Sequence, residues 1–215
     1  MSTEKFSKCP TWWVNRMPIL RNHFSGGKET GASIAALKCL IAITHKVNFH
    51  DLNSLISFSQ LEDATGLSRP MVSKGVSRLV SNRIITIKND GYRNVYVLTD
   101  NVHEYTNWAK IPHKYLKEAL PEISNRGRVT LYALKIYLYL LAIRPNDSAV
   151  IFCNYDTFEE KLGLQRKYIR SALDILFNHG LLHKHVDVAI IEGEKYISNS
   201  YEVRGILKPV KAKIY

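Results

Sequence analysis

The sequence predicts an α+β fold, mainly helical, assembled from two copies of one unit. Three observations predict it. A shift of 97 residues brings two long stretches of the chain into register without gaps, the signature of a duplicated unit. In each copy, apolar residues recur at helical spacing in successive segments, and strand-like runs joined through Asn, Asp or Glu beside Gly follow them. The composition then sets the scale: 215 residues, 46% hydrophobic, with 30 Lys+Arg against 19 Asp+Glu for a net charge of +11. That length holds one large domain or two small ones with real cores, and the basic surplus suggests a polyanionic partner.

The duplication is read residue by residue. IAALKCLIAI (Ile34 to Ile43) falls on LYALKIYLYL (Leu131 to Leu140), sharing Ala36-Leu37-Lys38 and Ala133-Leu134-Lys135. Gly66-Leu67-Ser68-Arg69 falls on Gly163-Leu164-Gln165-Arg166. Val72, Val76, Leu79 and Val80 fall on Ile169, Leu173, Leu176 and Phe177, a spacing that puts all four on one inward helical face. Upstream, Trp13 with Met17-Pro18 matches Trp108 with Ile111-Pro112 at a slightly smaller offset.

In the first unit, Gly31 to Val47 reads as a core helix and Leu55 to Phe58 as a short strand, with Ser59 as the N-cap of a second helix. That helix ends at Thr65-Gly66, where glycine allows the left-handed turn. Ser68 caps a third helix, Pro70 fits its first turn, and it runs to about Asn82. Ile84 to Lys88 and Val95 to Thr99 form a hairpin turning at Asn89-Asp90-Gly91. The second unit repeats the order: core helix Arg128 to Ile143, strand Ala149 to Cys153, helix Tyr155 to Leu162, turn at Gly163, third helix Gln165 to His179. Leu181 to Ile191 and Lys195 to Val203 make a longer hairpin turning at Glu192-Gly193-Glu194. Between the units, Asn101 to Asn125 reads as a linker with a short helix around His113 to Leu120. Helix, strand, helix, helix, hairpin is the order of a winged helix-turn-helix. The predicted division is residues 1–104 and 105–207 as two such domains, with a basic tail over 208–215.

In a helix-turn-helix the third helix enters the major groove, about 12 Å wide. With the apolar stripe facing in, the outward residues of the first third helix are Ser68, Arg69, Ser73, Lys74, Ser77 and Arg78. Arg69 is the candidate base reader, because its guanidinium can donate two bonds to guanine, while Lys74 and Arg78 suit phosphates. Lys88, Asn89, Tyr92 and Arg93 stand at the hairpin tip, placed to grip flanking backbone. The second third helix offers Gln165, Arg166, Lys167, Arg170 and Ser171, but also Asp174, and its hairpin tip carries Glu192 and Glu194. The second unit therefore either binds DNA through its helix alone or serves dimerisation or a protein partner.

SQLEDATGLSRPMVSKGVSRLVSNRIITI (Ser59 to Ile87) resembles the DNA-binding domain of the bacteriophage replication-protein O family, as does the lead-in over Trp12 to Asn22. The resemblance covers about residues 10–100. The tandem arrangement is also similar to that of plasmid replication initiators, in which paired winged helices bind repeated origin sites and one can mediate dimerisation. Together these likenesses imply an origin-binding initiator with double-stranded DNA, host replication proteins and a second copy of the chain as partners. The chain departs from the O-type pattern where a helicase-loader-contacting region is expected, having a second unit there instead. A transcriptional regulator using the same helices, or a protein-protein adaptor built on them, is the alternative.

Other classes are disfavoured by the residues. The longest apolar run, Ile136 to Ile143, falls well short of a membrane span, and Met1 to Lys8 is too polar for a signal peptide, so the expectation is a cytoplasmic protein without a membrane partner. Cys9, Cys39 and Cys153 are odd in number and widely spaced, matching neither a disulfide framework nor a metal site. A nicking enzyme would want a His-hydrophobe-His strand, and His183-Lys184-His185 puts a cation in the middle. Gly26-Gly27-Lys28-Glu29-Thr30 lacks the spacing of a phosphate loop. The expectation is a non-enzymatic protein without metal or cofactor.

Overall fold

The computed structural model describes residues 6–15, 18–48, 50–89, 94–99, 108–145, 148, 150–191 and 194–205, with backbone alone for 186–191 and 194–198. It is a mixed α/β structure in which helical residues outnumber strand residues. The first half runs β1 (Phe6–Pro10), α1 (Trp12–Asn15), α2 (Ile19–Asn22), a 3-10 turn (Gly27–Glu29), α3 (Thr30–His45), β2 (Asn53–Ser54), α4 (Phe58–Thr65), α5 (Arg69–Ser81), β3 (Ile85–Asn89) and β4 (Asn94–Leu98). The second runs β5 (Trp108–Pro112), α6 (Lys114–Glu122), α7 (Arg128–Ile143), β6 (Val150–Phe152), α8 (Tyr155–Leu162), α9 (Arg166–Asn178), β7 (Leu182–Ile191) and β8 (Glu194–Val203). Each half thus places a core helix, a short strand, two helices and a hairpin in the order the duplication predicts. The short strand completes a three-stranded antiparallel sheet in each half, β2-β4-β3 and β6-β8-β7.

The core helices are central because they are apolar all round. Every residue of α3 from Ser33 to Thr44 is buried, as is every residue of α7 from Thr130 to Leu141, the pattern of a helix surrounded by protein. They pack on each other and on α5 and α9 respectively. One continuous apolar core therefore runs through both halves. The three cysteines sit in it as buried free thiols, and burial pushes each up to about 12. No helix among the described residues is long and apolar enough to cross a membrane.

Local chemistry corrects several expected boundaries. The second helix is capped by Ser57 rather than Ser59: Ser57 Oγ accepts from the Gln60 amide at 3.1 Å, and Gln60 Oε1 accepts from the Ser57 amide at 2.9 Å. This reciprocal box starts the helix two residues early, so the strand expected over Leu55 to Phe58 is not formed: Phe58 opens the helix and the strand lies upstream at Asn53–Ser54. Asn154, at the matching position, accepts from the Thr157 amide at 2.8 Å. Gly66 and Gly163 both turn at φ 65 at the C-terminal ends of α4 and α8, the left-handed conformation that glycine adopts without strain. Val72, Val76 and Leu79 are buried, but Val80 is 38% exposed and Phe177 only partly buried, because three positions on the stripe suffice to seat the helix.

Two strands are absent from the expected elements: β1 lies just ahead of the lead-in over Trp12 to Asn22, and β5 lies within the segment expected to be a linker. β1 pairs antiparallel with β5, joining the halves. The counterpart of Trp108–Pro112 (WAKIP) is therefore Phe6–Pro10 (FSKCP), with the same burial alternation, and not Trp13 with Met17-Pro18. Trp13 instead lies in the core on α1, its Nε1 donating to Pro10 O at 2.8 Å, and Met17 lies outside the described residues.

Each half also braces the other through its lead-in helix. Lys38 and Lys135, the matched lysines of the core helices, are buried, and burial lowers both to about 8. Lys38 Nζ donates to Thr65 O at 2.8 Å in its own half and to Ile123 O at 2.5 Å and Asn125 Oδ1 at 2.6 Å in the other. Lys135 Nζ donates to Leu162 O at 3.2 Å in its own half and to Arg21 O at 3.3 Å in the other. Thr65 and Leu162 are the last residues before the two turn glycines, so each lysine satisfies a carbonyl that the helix end leaves open.

Candidate nucleic-acid interface

Arg69 and Arg166 open the third helices, α5 and α9, and the fold surrounds them alike. The Arg69 guanidinium lies 5.4 Å from the centre of the Phe58 ring, with Nη1 3.3 Å from Glu62 Oε2. The Arg166 guanidinium lies 5.7 Å from the Tyr155 ring, with Nη1 2.9 Å from Glu159 Oε2. Phe58 and Tyr155, like Glu62 and Glu159, are separated by the same 97 residues as the arginines. Arg166 has an additional partner, Asp156, and its hydrogen bonds to Asp156 and then Glu159 hold the guanidinium above its ordinary range. Both arginine side chains stay more than half exposed, so these are weak, solvent-screened surface pairs that exchange readily for another anion.

Corresponding positions contribute to a niche beside each arginine in both halves. In the first it is formed by Leu55, Ser57, Phe58, Arg69 and Asn94, and in the second by Phe152, Asn154, Tyr155, Arg166 and Asn199. Leu55 is 59% and Phe152 68% exposed, the two most exposed large apolar side chains among the described residues. Sequence reasoning passed over these aromatic and apolar positions. Their recurrence at the repeat distance was the signal that could have found them.

The remaining predicted residues divide by what they touch. Ser68, Ser73, Lys74 and Ser77 lie exposed on α5 with Arg69. Ser68 is the N-cap in extended conformation, but its side chain makes no capping bond. Arg78 is drawn away from that face: its Nε and Nη2 donate to His23 O at 3.1 and 2.6 Å, its Nη1 pairs with Glu29 at 2.6 Å, and it packs 5.9 Å from the Phe24 ring. Lys88 and Asn89 are exposed at the end of β3. Tyr92 and Arg93, with the tip of that hairpin, lie outside the described residues, as do Glu192 and the tail over 208–215. On α9, Lys167, Arg170 and Ser171 are exposed beside Arg166, and so is Asp174. Lys167 Nζ sits 5.0 Å from the Tyr168 ring, and Gln165 Oε1 accepts from Arg128 at 3.1 Å.

The groups set aside on sequence grounds occupy other places. Gly27–Glu29 forms the 3-10 turn leading into α3, with Thr30 Oγ1 donating to Gly27 O at 2.8 Å. His183 and His185 stack edge to face on β7, and His185 Nε2 lies 2.9 Å from Glu202. Among the described residues no group of three or more His, Cys, Asp or Glu is arranged to hold a metal. No protein-family model matches the chain, and no curated protein matches it.

Proposed function

We propose that the chain is a sequence-specific double-stranded DNA-binding protein built from two winged helix-turn-helix units, acting as a replication initiator of a phage or plasmid. The observation that carries the reading is the repeated arginine at the first residue of each third helix, exposed, resting on an aromatic ring and lightly held by a carboxylate. Such a group is positioned before DNA arrives, so less freedom is lost on binding. Its weak surface ion pair yields easily to guanine O6 and N7 or to phosphate. Around Arg69 the helix offers hydroxyls and one lysine: Ser68, Ser73 and Ser77 reach bases or phosphates, and Lys74 sets the helix on the backbone. Lys88 and Asn89 extend the contact along the β3–β4 hairpin.

The two units are unequal readers. Arg69 gives up one carboxylate to bind, whereas Arg166 gives up two, and exposed Asp174 shares its helix face. The first unit therefore supplies most of the affinity. Arg78 holds α5 against the α2 region and contributes to the position of the helix rather than to contact with DNA.

The test is a footprint of the purified protein along the DNA element that encodes it, at near-physiological salt with excess nonspecific duplex. Several evenly spaced protected sites beside an AT-rich stretch are expected. A lone site over a promoter would make the protein a transcriptional regulator, and no protected site would remove the DNA-binding reading.

A further inference from the structure

We propose that the first half carries a binding site for a small aromatic acid, in the cleft between α3, α4 and α6. The cleft has a volume of about 310 Å³, and Ile41, Ile56, Leu116 and Leu120 surround Ala42 as its apolar lining. That volume stands at the small end of the range for ligand sites, about 300–1,000 Å³, and suits a body of one or two fused rings. The site is independent of the DNA-binding reading, since no residue of α5 lines it.

The duplication explains why the cleft exists and what shape fits it. At the repeat distance of 97 residues, Ala42 corresponds to Tyr139, Ile56 to Cys153, Leu61 to Phe158 and Asp63 to Glu160. In the second half the buried Tyr139 ring meets the Phe158 ring of α8 edge to face, with centroids 6.4 Å apart. Burial, then the charges of Cys153 and Glu160, push the Tyr139 phenol up to about 12. The phenol is thus close to the counterparts of Ile56 and Asp63, both of which line the first-half cleft. A phenol fills in the second half the space that a methyl group borders in the first, so an aromatic ring is the body this packing accepts.

The charge around the cleft selects an acid. Lys46 and Lys117 are exposed and line it together with His45. Burial, then the charges of His113, Lys46 and Lys117, hold His45 at about 4, so both ammonium groups act on the same neutral imidazole. Positive charge therefore converges at this end of the cleft, and Asp63 is the one carboxylate that lines it. A carboxylate placed beside Lys46 and Lys117 meets that charge while its ring lies on Ile56, Leu116 and Leu120. The occupant also touches both sides of the joint between the halves, because α4 belongs to the first and α6 leads to Ile123, whose backbone oxygen Lys38 holds. Binding to the folded cleft stabilises that joint by mass action.

The test uses naphthalene-1-carboxylate and its uncharged counterpart 1-naphthalenemethanol, with amide chemical shifts and melting temperature of the full chain as readouts. The acid is expected to shift the amides around Ala42, Gln60 and Leu116 saturably and to raise the melting temperature with concentration. Ala42→Tyr, which transplants the second half's residue, should remove this binding in a protein that melts at or above the wild-type temperature. Lys46→Gln combined with Lys117→Gln changes only exposed side chains, and decides the matter even where Ala42→Tyr does not fold. It should weaken the acid about 2- to 30-fold and leave the alcohol unchanged. No saturable shift in the wild type, shifts away from the cleft, or acid binding unaltered by the lysine pair would overturn the proposal. Equal affinity for acid and alcohol in the wild type would overturn it as well.

Discussion

The ammonium of Lys38 donates to the backbone oxygen of Ile123 at 2.5 Å, tying the central helix of the first half to the end of the second half's lead-in helix. Because Thr65 O and Asn125 Oδ1 share the same ammonium, one side chain holds the first half's turn against the other half.

Lys38→Met is expected to lower unfolding free energy by roughly 3 kcal/mol, since truncation leaves buried acceptors bare at about 1–3 kcal/mol each. Lys135→Met should cost less, about 2 kcal/mol, because it frees two acceptors, held by longer bonds of 3.2 and 3.3 Å. Urea denaturation of both variants gives the comparison. Equal and negligible losses would mean that the two lysines do not join the halves.

Gly75 fixes how closely α5 approaches α3. A Cβ there would lie 2.7 Å from Ala35 C and 2.8 Å from Ala35 O, and backbone atoms have no room to yield. Gly75→Ala is therefore expected to destabilise by about 1–3 kcal/mol through overpacking, although alanine favours helix by about 1 kcal/mol. Ala172 occupies the matching position on α9. A stabilised Gly75→Ala protein in thermal unfolding would contradict this packing.

Acid should weaken the joint between the halves. The His45 and His113 rings stand 4.1 Å apart, and Ser7 Oγ lies 2.7 Å from His113 Nε2. Burial, then the charges of His113, Lys46 and Lys117, lower His45 from an ordinary 6.5 to about 4. The unfolded chain takes up this proton first, so stability present above about pH 6.5 is lost as pH falls toward 4. The urea midpoint should drop between about pH 7.5 and about pH 5, and His45→Gln should flatten that drop. An unchanged drop in the variant would assign the effect to other groups.

The two flanking cations of α5 should separate by readout. Lys74→Ala is expected to weaken duplex binding similarly on all sequences and to reduce the salt slope by about 1. Arg78→Ala should lower the melting temperature, because it loses two bonds to His23 O and the Glu29 pair. A salt slope altered by Arg78→Ala with unchanged melting would return Arg78 to the DNA-facing set.

What the sequence revealed and what it hid follow from the range of the forces involved. The core helix over 128–143, the helix over 155–162 and the turns at Gly66 and Gly163 were legible because periodicity and left-handed turns are local properties. The Ser57 cap was misplaced by two residues because two serines compete there, and only the Gln60 partner decides between them. β1 and β5 escaped notice because neither five-residue strand has a partner nearby in the chain; their ladder joins residues about a hundred positions apart. Arg78 read as an exposed cation because helical phase places it at the edge of the face, and its carbonyl and carboxylate partners come from the α2 region. The aromatic rests of Arg69 and Arg166 were visible in the repeat but carried no local signal of their own.

The first third helix, α5, is expected to read base sequence through Arg69. The measurement that tests it most directly is the affinity of the wild type and of Arg69→Ala for a footprinted duplex and for an unrelated duplex, at fixed near-physiological salt. The expected result is a loss of about 1–3 kcal/mol on the footprinted site, with little change on the unrelated one. An equal loss on both duplexes, or no loss on either, would contradict it.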